Sequence, residues 1–328
     1  WLPYLEKDFI TPYLTSLENK EKNKEGIDCF LGWLKNNLST YQVIDWLLKN
    51  HTNIIPSLFE AIKFVRIQEN YSCKYDVIIN TLLSVSSNRL SQDEGIKRIQ
   101  YILNKLQKSS SFSVELKLEI LNLLKPQIVI AHNSFSDLIR RDLEAGPHAR
   151  LEESDITEEL VKETTSKIFE LSFVYDTYNT KELFQILNQD QFKTELANIA
   201  TELVVLLKHT FDLVKHFDKA HSSYYTYLSR DFIKTSTSNS PYDKHLILVD
   251  LAINSLENLL TENPSKAYLL LQIMLGDGAT DHPILFRIAL YLINVHKNLN
   301  INSKVELILP TMQYWLYEIE CKREASNF

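Results

Sequence analysis

Glycine and proline are scarce, at 6 and 9 of 328 residues, under 5% together, where average usage gives roughly 12%. Tight turns and phosphate-cradling loops use glycine, because it takes left-handed backbone without steric cost. A chain this poor in it excludes most nucleotide-binding α/β enzymes and most all-β sandwiches. Cysteine is sparse as well. Cys29, Cys73 and Cys321 are odd in number and far apart, which fits neither a disulfide framework nor a zinc motif. A reducing compartment, cytoplasm or nucleus, is expected. No run approaches the ~20 apolar residues that a membrane helix needs; Leu203 to Leu207 and Ala267 to Leu275 are among the most apolar stretches, and both are too short. The chain opens at Trp1 rather than Met, so a targeting segment ahead of it is compatible with the sequence.

The strong catalytic signatures are missing too. No P-loop, GxGxxG fingerprint, HExxH pair, GxSxG elbow or CxxC pair occurs, and each of those spacings exists because a specific chemistry needs it. The expectation is a non-enzymatic protein without cofactor or metal.

What is present is ordinary globular bulk, 45% hydrophobic and 23% charged, with 16 Tyr, 15 Phe and 4 Trp. The formal charge is -7, from 35 basic and 42 acidic side chains, so the chain as a whole repels polyanions. The charge is uneven. Residues 1 to 150 hold 19 basic and 17 acidic side chains, and residues 151 to 328 hold 16 and 25. The acidic back half favours a basic protein partner over a nucleic acid.

Apolar residues recur at three and four residue spacings nearly throughout, the pattern of amphipathic helices. It predicts helices near 3–18, 26–38, 40–50, 53–69, 73–87, 92–108, 114–125 and 127–145, and then near 155–175, 181–188, 191–219, 222–234, 241–262, 265–275, 282–298 and 303–323, with Pro310 kinking the last. Ser39 with Gln42, Ser91 with Glu94 and Ser303 with Glu306 fit capping boxes. Pro3, Pro126, Pro241, Pro264 and Pro283 sit where helices start, and Gly146 and Gly276 where they stop. The fold class is all-α, in antiparallel helical hairpins.

Starts near residues 53, 92 and 127 lie 35 to 39 apart, close to the period of helical repeats. This regularity resembles an armadillo or HEAT-type α-solenoid. The resemblance implies stacked hairpins with an extended concave surface that holds a peptide or protein partner. A globular helical bundle is the rival arrangement, which the irregular spacing after residue 150 favours. The expected division is a helical-repeat region over 1–146 and a more acidic helical-repeat or bundle region over 147–328.

Candidate sites follow from residue type and spacing. On the expected helix 191–219, His209, Asp212 and His216 project from one face at i, i+3 and i+7. Two turns span about 10 Å, long for one metal ion, so a solvated polar face is the preferred account. Tyr224, Tyr225 and Tyr227, bracketed by Lys219 and Arg230, bring the apolar area and polar tips that suit a protein partner. The same interleaving suits single-stranded nucleic acid, although residues 208 to 234 carry five basic side chains against three acidic ones. A second basic stretch, Arg89 to Lys125, holds seven basic side chains and four acidic ones, and its helix face around Arg98 and Lys105 completes the expected partner-binding set. In GDGATDHP, residues 276–283, Asp277, Asp281 and His282 are explained by a helix stop and a following cap. The segment 151–163 carries six acids and one lysine. It reads either as an exposed acidic docking segment or as a loop whose Asp155, Glu158 and Glu159 favour a helix N-terminus. The sequence thus points to a protein-interaction scaffold or adaptor, with a helical nucleic-acid-binding module as the alternative.

Overall fold

The computed structural model describes residues 24–51, 73–86, 92–109, 111–146, 150–174, 177–217, 244–280, 283–296 and 299–315. Among these the chain is mostly helical, with fourteen α-helices, two 3-10 turns and one two-stranded ribbon. Two compact units are interleaved in sequence: Trp1–Arg89 with Gln127–Ser172, and Leu90–Pro126 with Phe173–Phe328. Gly146 lies inside the first unit, and the chain passes between the units at 89–90, 126–127 and 172–173.

The first unit contains α1 (Lys24–Asn37), α2 (Tyr41–Asn50), α3 (Asp76–Ser86), β1 (Gln127–Ile130), α6 (Phe135–Asp142), α7 (Glu158–Ile168) and β2 (Phe169–Ser172). Helix α1 buries Phe30 and Leu34, the buried Leu38 follows just past its end at the same four-residue spacing, and the Phe30 ring meets Trp46 of α2 edge-on at 5.7 Å. Two stretches expected to be helical contain strand. Pro126 precedes the run Gln-Ile-Val-Ile, whose β-branched side chains lose rotamer freedom in a helix and suit a pleated surface. It pairs antiparallel with β2, Gln127 opposite Ser172 and Ile130 opposite Phe169. The expected helix 155–175 accordingly ends at Ile168, where Phe169 turns extended and donates its N–H to the Thr165 carbonyl.

Helix α6 therefore begins at Phe135 rather than near 127. Ser134 caps it by accepting from Asp137 N, and a second acceptor comes from α2: the buried Asp45 carboxylate accepts from Ser136 N at 3.0 Å and from the Ser136 hydroxyl. An acid at a helix start satisfies free amides and meets the favourable end of the dipole. The same helix stops before Gly146. The left-handed residue is Glu144, at φ 52°, so glycine does not supply the stop.

The second unit contains α4 (Gln92–Lys108), α5 (Val114–Leu124), α8 (Thr177–Leu187), α9 (Lys193–Asn198), α10 (Ala200–Phe217), α11 (Lys244–Glu262), α12 (Pro264–Thr280), α13 (Pro283–Val295) and α14 (Ile301–Trp315). Helices α4 and α5 form a hairpin, and α8 packs on α4 across about 70 residues of sequence. Helix α11 is packed by α8, α9, α10, α12 and α13, and α14 packs on α12 and α13. The expected single helix 191–219 is broken at Ile199. The Leu196 carbonyl released there accepts from Ile199 N and from the Ser255 hydroxyl of α11 at 2.9 Å, so the break is satisfied rather than exposed.

Helix starts at prolines hold for α12 and α13, and the first is capped by Asn263, which accepts from Lys266 N at 3.1 Å. Several capping details differ from expectation. Asn300, not Ser303, caps α14, accepting from Ser303 N at 2.9 Å. Thr40 precedes α2 without a side-chain cap, in place of a Ser39–Gln42 box. Gly276 lies within α12, which runs on to Thr280, so it is not a stop. Pro310 lies inside α14. The expected helices 3–18, 53–69 and 222–234, the Ser91 cap, and the starts at Pro3 and Pro241 fall outside the described residues.

Gly95 is placed where α4 passes Val174, and a Cβ there would stand 2.6 Å from the Val174 carbonyl oxygen as well as against its side chain. Backbone cannot yield as a flexible side chain does. Gly95→Ala is expected to destabilise the chain by about 1–3 kcal/mol through overpacking, read as a lower urea midpoint; an unchanged or raised midpoint would contradict this close approach.

Candidate functional site

The expected partner-binding residues divide cleanly. Lys219, Tyr224, Tyr225, Tyr227 and Arg230 lie outside the described residues, as do Asp281 and His282. Arg98 and Lys105 are on α4, and neither is a lone cation. Arg98 pairs with Glu119 of α5 at 3.3 Å, and Lys105 sits 5.5 Å above the ring of the exposed Tyr101. Of the three residues weighed for metal, His209 and Asp212 are exposed on α10, and among the described residues no group of three or more His, Cys, Asp or Glu is arranged to hold an ion.

Ion pairs continue from that hairpin across the second unit. Lys117 of α5 meets Glu202 of α10 at 2.6 Å, and the Lys266 ammonium of α12 also acts on Glu202. Burial pushes the Glu202 carboxyl up, but the Lys117 hydrogen bond, a backbone bond and the two ammonium charges outweigh it, so its proton affinity ends below the ordinary value. Helical spacing then places three aliphatic side chains on the faces these charges occupy: Val114 three residues before Lys117, Val205 three after Glu202, and Leu269 three after Lys266. All are exposed, at 77%, 63% and 61%, and Ile273 (57%) and Leu118 (54%) extend the set by one turn each. Isolated exposed aliphatics are ordinary; a band of them beside one ion pair and a third charge that acts on it is a different feature. A signal for it existed in the sequence only as apolar residues at helical spacing, which reads as core.

At the end of that band an apolar cleft of about 510 Å³ is lined by Leu260, Pro264, Tyr268, Leu269, Leu271 and Leu299, with Ser265 and His296 as its polar members. Burial lowers the proton affinity of His296, and the Lys304 charge adds to the effect. Lys304 donates to the Asn294 carbonyl at 2.7 Å. A separate exposed stripe, Ile301, Val305 and Leu309, runs along α14 at four-residue spacing.

In the first unit the acidic segment is engaged within the chain. Glu153, in a 3-10 turn over Glu153–Asp155, accepts from the Tyr75 hydroxyl at 2.6 Å and from Tyr41 N at 3.3 Å, and pairs with Lys74 at 2.9 Å. Lys74 also donates to the carbonyls of Glu153 and Ile156. Burial, then the Glu153 bond and charge, raise the Tyr75 hydroxyl well above the ordinary phenol range. Leu151 and Ile156 are buried on either side of the turn. Glu158 and Glu159 occupy the first turn of α7, and Thr157 caps it, so the helix-start account describes this segment.

Among the described residues no helix is long and apolar enough to cross a membrane. Cys29 is exposed, Cys73 is half-buried, and both are thiols.

Two measurements check this geometry. A double-mutant cycle on Lys117→Met and Glu202→Gln is expected to give a coupling of about 0.2–1 kcal/mol, as for other partly exposed pairs. Because the folded state lowers the Glu202 proton affinity, the contribution is present above the unfolded carboxylate value, about 4.3, and is lost as pH falls through the folded one. A coupling that survived full protonation of Glu202 would contradict the assignment. Glu153→Ala leaves the Tyr75 hydroxyl without its acceptor, and a loss of about 1–3 kcal/mol is expected; a loss under about 0.5 kcal/mol, the range of ordinary surface substitutions, would show that the turn is not anchored there.

No family model matches the chain, and no curated protein or solved structure is significantly similar to it.

Proposed function

We propose that the chain is a non-enzymatic scaffold or adaptor of the cytoplasm or nucleus, which holds a protein or peptide partner on a helical surface of its second unit. The observation that carries the reading is the set of exposed aliphatics Val114, Val205, Leu269 and Ile273 beside the Lys117–Glu202 ion pair and the Lys266 charge. Exposed large aliphatics cost solubility, so several of them on helices joined by an ion pair favour a surface that is covered in use. Solenoid-like stacking is proposed for α11 to α14, where four consecutive helices pack on one another; elsewhere consecutive pairs such as α4 with α5 and α6 with α7 are combined with partners remote in sequence, such as α4 with α8.

The nucleic-acid alternative has less behind it. Two of the bases in the stretch 89–125, Arg98 and Lys117, are paired with carboxylates, and a phosphate would have to displace those carboxylates before releasing counterions of its own.

The test is partner capture from cell extract with the intact chain and with Val114→Glu, Val205→Glu and Ile273→Glu, each placing a charge in the band without touching the core. A discrete protein set that resists nuclease and is lost in the variants, with the helical circular dichroism signal intact, is the expected result. Capture unchanged in all three variants, or abolished by nuclease, would overturn the proposal.

A further inference from the structure

The cleft beside the band differs from it chemically. Its walls are Leu260, Pro264, Tyr268, Leu269, Leu271 and Leu299, which suits an uncharged aliphatic or aromatic group, and its volume of about 510 Å³ leaves room for a bulky side chain together with its neighbours. Among the described residues two lysines adjoin its lining: Lys266 follows Ser265 and acts on Glu202, and Lys304 reaches the Asn294 carbonyl two residues before His296. Lys304 of α14 is half-buried, bonded to the Asn294 carbonyl and close enough to the cleft residue His296 to act on its charge. Among the described residues no carboxylate lies within ion-pair distance of Lys304. That sets it apart from Lys74, Arg98, Lys117 and Lys167, each of which meets an acid. A half-buried cation with a neutral acceptor retains most of its attraction for an anion, because the surrounding low dielectric screens it poorly. The acid nearest in sequence to the lining residues of α11 and α12 is Glu262, which is exposed.

We infer that this cleft takes a bulky apolar anchor side chain from an acidic segment of a partner protein, with a carboxylate of that segment meeting the Lys304 ammonium. The inference rests on the scaffold reading and deepens it, and it replaces the basic partner expected from the acidity of residues 151 to 328 with one matched to the local Lys304 charge: the band supplies sequence-tolerant apolar contact, and the cleft with Lys304 supplies selection for an acidic, hydrophobic sequence. Leu269 belongs to both the band and the cleft wall, which makes the two one continuous surface. Anchors of this kind dominate binding at protein surfaces because they are desolvated on all sides once seated.

The experiment titrates the full chain into three fluorescein-labelled peptides, ELWLE, KLWLK and ESSSE, followed by anisotropy. ELWLE is expected to bind saturably, with the other two weaker by roughly tenfold or more, as for loss of a charge-assisted contact or of the anchor. Lys304→Met and Tyr268→Ala are each expected to weaken ELWLE by about tenfold while helical circular dichroism is retained. Equal binding of ELWLE and KLWLK, which needs no variant, would overturn the inference, as would unchanged affinity in both variants. Tighter binding of decanoate than of ELWLE would reassign the cleft to a fatty-acid anion, and self-association abolished by Tyr268→Ala would reassign it to a second copy of this chain. None of these substitutions touches Val114, Val205 or Ile273, so failure here with partner capture still lost in the band variants removes the cleft assignment alone.

Discussion

Helix α11 sets the arrangement of the second unit, because it is apolar on nearly every side. Leu248, Val249, Leu251, Ala252, Ile253, Ser255, Leu256, Leu259 and Leu260 are all buried. A helix of that kind cannot lie on a surface; other helices must surround it. Five do, and its one buried hydroxyl, Ser255, is spent on the Leu196 carbonyl where the chain breaks between α9 and α10. The tight fit around α11 leaves the outer faces of α10 and α12 to solvent, as the hairpin with α4 leaves that of α5, and those faces carry the exposed aliphatics and the Lys117–Glu202 pair. Function is thus proposed on the side of the helices that the core does not use.

The first unit is held by polar contacts as well as by its core. Asp45 on α2 supplies acceptors to the start of α6, and Glu153 closes over Tyr75 and Lys74. Both carboxylates bind groups more than 75 residues away in sequence. Such contacts are worth little where water competes and considerably more where one partner is buried, and Tyr75 is wholly buried. They join segments that are far apart along the chain while leaving the short ribbon of β1 and β2 with only four residue pairs to form.

Local structure was legible in the sequence wherever an amphipathic period ran unbroken. The helix expected over 92–108 is α4 residue for residue, and α2, α3 and α5 differ from expectation by a few residues at most. Expectation failed where a local rule was overridden by a distant partner. Pro126 introduces a strand because Phe169–Ser172 is there to pair with it, and the chain breaks at Ile199 without glycine or proline, where the Ser255 hydroxyl donates to the released Leu196 carbonyl. Gly276 stays helical because α12 continues past it. The candidate site was harder to read. Val114, Val205 and Leu269 follow the same spacing as core residues, and only tertiary packing turns them outward, around α11 for Val205 and Leu269 and in the α4–α5 hairpin for Val114. Arg98 was legible as a basic residue on an exposed-type face, but its pairing with Glu119 depends on the hairpin geometry.

The central claim is that a partner is held on the second unit, over α5, α10 and α12. Lysine cross-linking of the captured complex, mapped by mass spectrometry, reads this directly, because both units carry lysines at known places. The account predicts cross-links to the partner from Lys105, Lys117 and Lys266. Cross-links confined to Lys49, Lys74 and Lys167 of the first unit would contradict it.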